Sequence, residues 1–62
     1  MTREEILVKS AGLLREGAEC LKECHTLSGG KWGKAPEDQR AQVAHDESIE
    51  LAAALLAMAR PL

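Results

Sequence analysis

Aromatic side chains are almost missing from this sequence, which contains one tryptophan, Trp32, and neither phenylalanine nor tyrosine. A hydrophobic core must therefore be built from smaller aliphatic side chains, each of which buries less area than an aromatic ring. The chain has 62 residues. A domain of that size buries only about 60% of its unfolded surface. Domains this small usually need disulfides, a metal ion or partner chains for stability.

No sign of charge dominates, since eight Lys and Arg oppose ten Asp and Glu. A nucleic-acid-binding module normally carries a basic stripe, so nucleic acid is not an expected partner. A membrane is not expected either, because the longest apolar run covers residues 51–59 and a spanning helix needs roughly 20 apolar residues. The N-terminal Thr2-Arg3-Glu4-Glu5 does not resemble a secretory signal, so we expect a cytoplasmic protein with reduced cysteines.

A capping box predicts the start of a first helix. Thr2 and Glu5 have the spacing at which each side chain bonds the backbone N–H of the other. Gly29 and Gly30 predict its end, so this helix is expected over about residues 3–28. Apolar and small residues recur along it at steps of three and four and cover an arc of roughly 200°. They are Ile6, Leu7, Ser10, Ala11, Leu13, Leu14, Gly17, Ala18, Cys20, Leu21, Cys24 and Leu27.

A second helix is predicted over about residues 36–59, after a loop at about residues 29–35. Pro36 suits the first position of a helix, and Pro61 disfavours helix at the residue before it. The inward stripe of this helix is expected to comprise Ala41, Ala44, Ser48, Leu51, Ala52, Leu55 and Ala59.

The predicted fold is all-α, a single helical-hairpin domain over residues 1–62 in which a short loop makes the two helices antiparallel neighbours. One hairpin covers only one strip of each helix, and the apolar arc of the first helix is wider than that strip. We therefore expect a homo-oligomer, most simply a homodimer that completes a four-helix bundle, although a different protein could bury the same surface. The predicted core and interface residues are Leu7, Leu14, Ala18, Leu21, Ile49, Leu55 and Leu56.

Cys20 and Cys24 lie one helical turn apart, and His45 is expected to face them from the second helix. Two thiolates and an imidazole can bind zinc, but no fourth ligand is evident. Cysteines at helical spacing on an apolar face are more often small buried hydrophobes. We therefore expect these cysteines to pack in the core, with neither a metal nor another cofactor.

The loop is the most individual segment of the chain. Its glycines could let backbone N–H groups converge on an anion, Lys31 and Lys34 add positive charge, and Trp32 could stack on a base or anchor a partner. These three residues are the predicted binding residues for a partner or ligand. The alternative is a solvated turn in which Trp32 packs over the helix ends. A phosphate-binding P-loop is excluded, since GxxxxGK[ST] is absent.

Excess apolar helix surface, without a nucleophile–base pair or a metal set, predicts a non-enzymatic interaction protein. The segment Glu23-Cys24-His25-Thr26-Leu27, running into a glycine- and tryptophan-containing loop within a capped hairpin of this size, resembles small helical-hairpin proteins of bacteriophages over the whole chain. Several of those proteins inactivate host or defence proteins by binding them. The resemblance implies binding, and inhibition, of a larger host protein. The alternative function is a binder or sponge for a nucleotide-like anion at a subunit junction.

Overall fold

The computed structural model describes residues 1–60, which form an antiparallel hairpin of two helices, α1 (Arg3–His25) and α2 (Pro36–Ala59). At the open end the Arg3 guanidinium donates to the Met58 carbonyl, and at the loop end His25 meets Asp38. The hairpin measures 42 × 19 × 17 Å. The predicted all-α fold with two mutually packed helices is confirmed.

The start of α1 follows the capping prediction. Thr2 adopts an extended conformation, and its Oγ1 accepts a hydrogen bond of 3.1 Å from the Glu5 N–H. The reverse contact differs from the expected one, because Glu5 Oε1 accepts from the Thr2 hydroxyl at 3.3 Å. The first helix therefore has a fixed beginning, with two acidic residues in its first turn that favour the helix dipole.

The end of α1 differs from the prediction, since the helix stops at His25 rather than at about residue 28. Thr26 is extended instead and pairs with Trp32 in an isolated antiparallel bridge. Gly29 and Gly30 have φ values of 85° and 76°, and they reverse the chain between the two bridge residues rather than cap the helix. The β-branched side chain of Thr26 favours this extended conformation.

The bounds of α2 agree with the prediction. Pro36 occupies its first turn, and Ala35 at the N-cap provides no side-chain hydrogen bond. Arg60, at the C-cap, is extended as expected before a proline, although Pro61 itself lies outside the described residues. Neither described helix is long and apolar enough to cross a membrane.

The helices meet along a seam whose residues recur at steps of four and three, and each of these residues is buried or partly buried. From α1 they are Leu7, Ala11, Leu14, Ala18, Leu21 and His25; from α2 they are Ala41, His45, Ser48, Ala52, Leu55 and Ala59. Of the five buried hydrophobic residues in the described part of the chain, four are alanines, so the helices approach closely. Within residues 1–60 no large side chain is completely enclosed.

Two residues of the predicted inward stripe of α2 point elsewhere. Ala44 is exposed and Leu51 is 55% exposed, because the seam runs through the following residues, His45 and Ala52. Two of the predicted core and interface residues, Leu7 and Ala18, are buried in the single hairpin. Four are partly buried, namely Leu14, Leu21, Leu55 and Leu56. Ile49 is exposed.

Candidate functional site

A second stripe of α1 lies beside the seam and has no covering helix. Each of its members precedes a seam residue, so it is rotated from the seam by roughly 100° and repeats the steps of four and three. Leu13 is 69% exposed and Ile6 is 49% exposed. The whole stripe is uncharged: Ile6, Ser10, Leu13, Gly17, Cys20 and Cys24.

The same side of the hairpin continues onto α2. In two antiparallel right-handed helices, the residues that come just before the seam residues lie on the same side of both helices. The residues that precede the α2 seam therefore lie beside the bare α1 stripe. They are Arg40, Ala44, Glu47, Leu51, Ala54 and Met58. Leu51 and Met58 are 55% and 54% exposed. These two stripes together are called the apolar face below.

The opposite side of the hairpin is formed by residues that follow the seam residues, and it is more highly charged. It does contain exposed hydrophobic residues, since Val8 is 50% exposed and Ile49 is 42% exposed. Charged side chains interrupt it along both helices, at Arg15, Glu19, Lys22 and Asp46. On the apolar face the charged residues are confined to α2, at Arg40 and Glu47. The two sides of this hairpin therefore differ in chemistry.

Both cysteines are free and exposed on the apolar face, so the expectation that they pack in the core is wrong for the single hairpin. The physical reason is the rotation of α1, which turns Leu21 and His25 toward α2 instead of Cys20 and Cys24. The structure does not gather the cysteines with His45, and no group of three or more metal-ligating residues is found within the described part of the chain.

A polar contact that the sequence analysis missed joins the helices at the loop end. His25 Nδ1 lies 2.8 Å from Asp38 Oδ1, and both side chains are largely buried, with 28% and 21% of their surface exposed. Gly33 lies next to both residues of this pair. Its N–H donates to the His25 carbonyl at 3.0 Å, and a Cβ at Gly33 would lie 2.1 Å from Asp38 Oδ2. The sequence offered one indication of this contact. His25 and Asp38 lie on either side of the loop, at the two helix ends that an antiparallel hairpin brings together.

The three predicted binding residues of the loop differ in exposure. The Trp32 ring is partly buried and meets the His45 ring edge-on, with the centroids 5.2 Å apart. Trp32 thus packs back against the hairpin, but on the side of α2 at His45 rather than over the helix ends. Lys31 and Lys34 are exposed beside it. His45 also contacts Asp46 Oδ1 through its Nδ1, at 3.0 Å.

Part of the loop backbone is occupied with its own hydrogen bonds. The Leu27, Gly30 and Gly33 N–H groups donate to the carbonyls of Lys31, Leu27 and His25 respectively. The first turn of α2 carries Glu37 and Asp38, which oppose an anion at this helix N-terminus. The loop therefore offers an anion two lysines, but two of its three glycine N–H groups already donate to carbonyls and acidic side chains lie beside it.

Two contacts here, His25 with Asp38 and His45 with Asp46, have the geometry of an acid–base dyad, in which a carboxylate orients the imidazole through Nδ1. A dyad acts on a substrate held in a cavity, and a shallow cavity lined by Glu4, Glu5, Val8 and Lys9 lies at the other end of the hairpin. The His25–Asp38 pair thus has a structural use, joining the helices.

Comparison of the chain with protein-family models, curated proteins and solved structures finds no match.

Proposed function

We propose that this chain is a non-enzymatic interaction protein that associates with itself, as a homodimer forming a four-helix bundle, and that binds and inhibits a larger host protein. The observation that carries the proposal is the bare apolar face, where four large hydrophobic side chains are about half exposed or more: Ile6, Leu13, Leu51 and Met58. A contiguous exposed apolar surface on a small protein usually marks an interaction site.

The accessible surface of the hairpin supports self-association. A folded monomer of 6.7 kDa is expected to expose about 3,900 Å², whereas the hairpin exposes 4804 Å². The excess of about 900 Å² is close to the roughly 800 Å² that each partner contributes to a standard interface. The radius of gyration of 13.8 Å also exceeds the value of about 10.6 Å expected for a compact domain of this length.

The composition of the core supports the same conclusion. Ordering the backbone costs about 1–2 kcal/mol per residue, and burial of apolar area must offset that cost. Here the buried hydrophobic residues are Leu7 and four alanines, and an alanine side chain buries little area. Covering the apolar face would add leucine, isoleucine and methionine to the buried surface.

The larger partner is proposed from the resemblance to phage-encoded hairpins and from the exposed Lys31 and Lys34, which would attract an acidic protein surface. The nucleotide-like anion of the alternative function is less favoured, because the loop N–H groups of Gly30 and Gly33 already donate to carbonyls. Affinity capture with the immobilised hairpin tests this part. A captured protein whose activity falls when free hairpin is added supports the proposal, and a captured nucleotide supports the alternative.

Sedimentation equilibrium across the micromolar range tests self-association. We expect a dimer, with helicity that falls on dilution because folding and association are coupled in an obligate oligomer. A well-folded monomer throughout this range would contradict the proposal.

A further inference from the structure

We infer that the second copy docks on the apolar face, with Leu13, Gly17 and Cys20 of each copy near the centre of the dimer. This inference rests on the proposed self-association and names the surface that performs it. The loop and the charged side of the hairpin would then remain available to bind the proposed larger protein.

The spacing of the bare α1 stripe is the first support. Helices pack side by side when apolar or small residues recur at alternating steps of four and three, because that repeat keeps one strip facing the neighbour. The seam of α1 has this repeat and is covered by α2. The stripe from Ile6 to Cys24 has the same repeat and is uncharged over its full length, and all of its members except the partly buried Ser10 are exposed. It has the pattern of a surface that packs against a helix.

Gly17 gives a second, independent support. A Cβ at this position would meet no atom within 4 Å, so the hairpin itself leaves room for a larger residue. Glycine inside a helix nonetheless lowers its stability relative to alanine. On the apolar face, between Leu13 and Cys20, this glycine lets the backbone of a neighbouring helix approach closely. Gly12 has equal space around it but lies on the charged side, which makes it a matched control.

A second copy fits this face better than a highly charged partner does. In a two-fold dimer the same patch meets itself, so a patch with charge of one sign would repel its copy. The charged residues of the apolar face, Arg40 and Glu47, have opposite signs and lie two turns apart on α2. The excess exposed area of about 900 Å² matches one side of a standard interface.

Leu13→Lys tests the inference, with Val8→Lys as its control. Both positions are exposed in the single hairpin, at 69% and 50%, and both are on α1. We expect Leu13→Lys to weaken dimerisation at least tenfold in sedimentation equilibrium and Val8→Lys to leave it within twofold. The reverse ranking, with a dimeric wild type, would overturn the docking face and leave self-association standing. A monomeric wild type would overturn both.

The thiols supply a readout that needs no lysine variant. Cys20 and Cys24 are exposed in the hairpin but lie on the proposed interface. Their rate of reaction with a maleimide should therefore fall at least tenfold as the wild-type concentration rises through the dimerisation midpoint. Equal rates in monomer and dimer would place the interface elsewhere, even if Leu13→Lys fails to fold.

Discussion

Two neighbouring stripes of α1 have the same spacing but different surroundings. The seam stripe, from Leu7 to His25, packs against α2, and the bare stripe, from Ile6 to Cys24, is mostly exposed in the hairpin. Their compositions overlap, since both contain leucine and small residues. Periodicity therefore tells how many strips of a helix can be covered, but it does not tell which strip the neighbouring helix covers.

The ends of the two stripes suggest how the choice is made. The seam ends at His25, whose imidazole contacts Asp38 at the start of α2, while the bare stripe ends at Cys24, a free exposed thiol. Gly33 leaves the space into which the Asp38 carboxylate fits. The polar contact at the loop thus favours one rotation of α1 over another that places the cysteines inside.

The largest effect is expected from Ala18→Leu in the seam. Ala18 has no exposed surface, and inserting a larger side chain into a close helix contact typically costs about 1–3 kcal/mol. Thermal melting followed by circular dichroism should show a large drop. The matched variant Cys20→Leu, on the bare stripe, should melt at or above the wild-type temperature when both are measured as dilute, undimerised hairpins. Similar losses in the two variants at that dilution would mean that both stripes are covered within the single hairpin, which would contradict the difference between them.

A smaller effect is expected when the contact at the loop end is broken. Gly33→Ala places a methyl group where the Asp38 carboxylate lies, so it should displace this side chain from His25 and cost about 1 kcal/mol, as for loss of a typical hydrogen bond. Asp38→Ala should cost a similar amount. Denaturant unfolding of both single variants and the double variant measures their coupling. If the two costs simply add, Gly33 and Asp38 act separately and the explanation of the rotation is wrong.

The smallest effect compares two glycines. Gly12→Ala and Gly17→Ala should each stabilise the dilute hairpin by up to about 1 kcal/mol, since both have open space and alanine favours helix. At concentrations where the wild type is dimeric, only Gly17→Ala should weaken association. Unfolding measured at low and high protein concentration separates the two contributions. An equal response of both variants at high concentration would show that the partner does not approach α1 at Gly17.

Local features of the fold could be predicted from the sequence because their causes are local. Thr2 and Glu5 fixed the start of α1, and Pro36 fixed the start of α2, through contacts that span only a few residues. The hairpin followed from the short loop, and the excess of apolar surface on α1 followed from the width of its arc. The end of α1 was missed because Thr26 pairs with Trp32, a contact across the loop that helix-capping rules do not include.

By itself, then, the sequence determined two helices, their antiparallel order and a surplus of apolar surface on α1. Only the tertiary structure decided the rotation of the helices about their axes, and with it the burial of Ala52, the exposure of Leu51 and the outward position of the cysteines. It also decided that Trp32 meets His45. The physical reason is that stripes one residue apart have nearly equal periodicity, so contacts between distant residues, such as His25 with Asp38, choose between them.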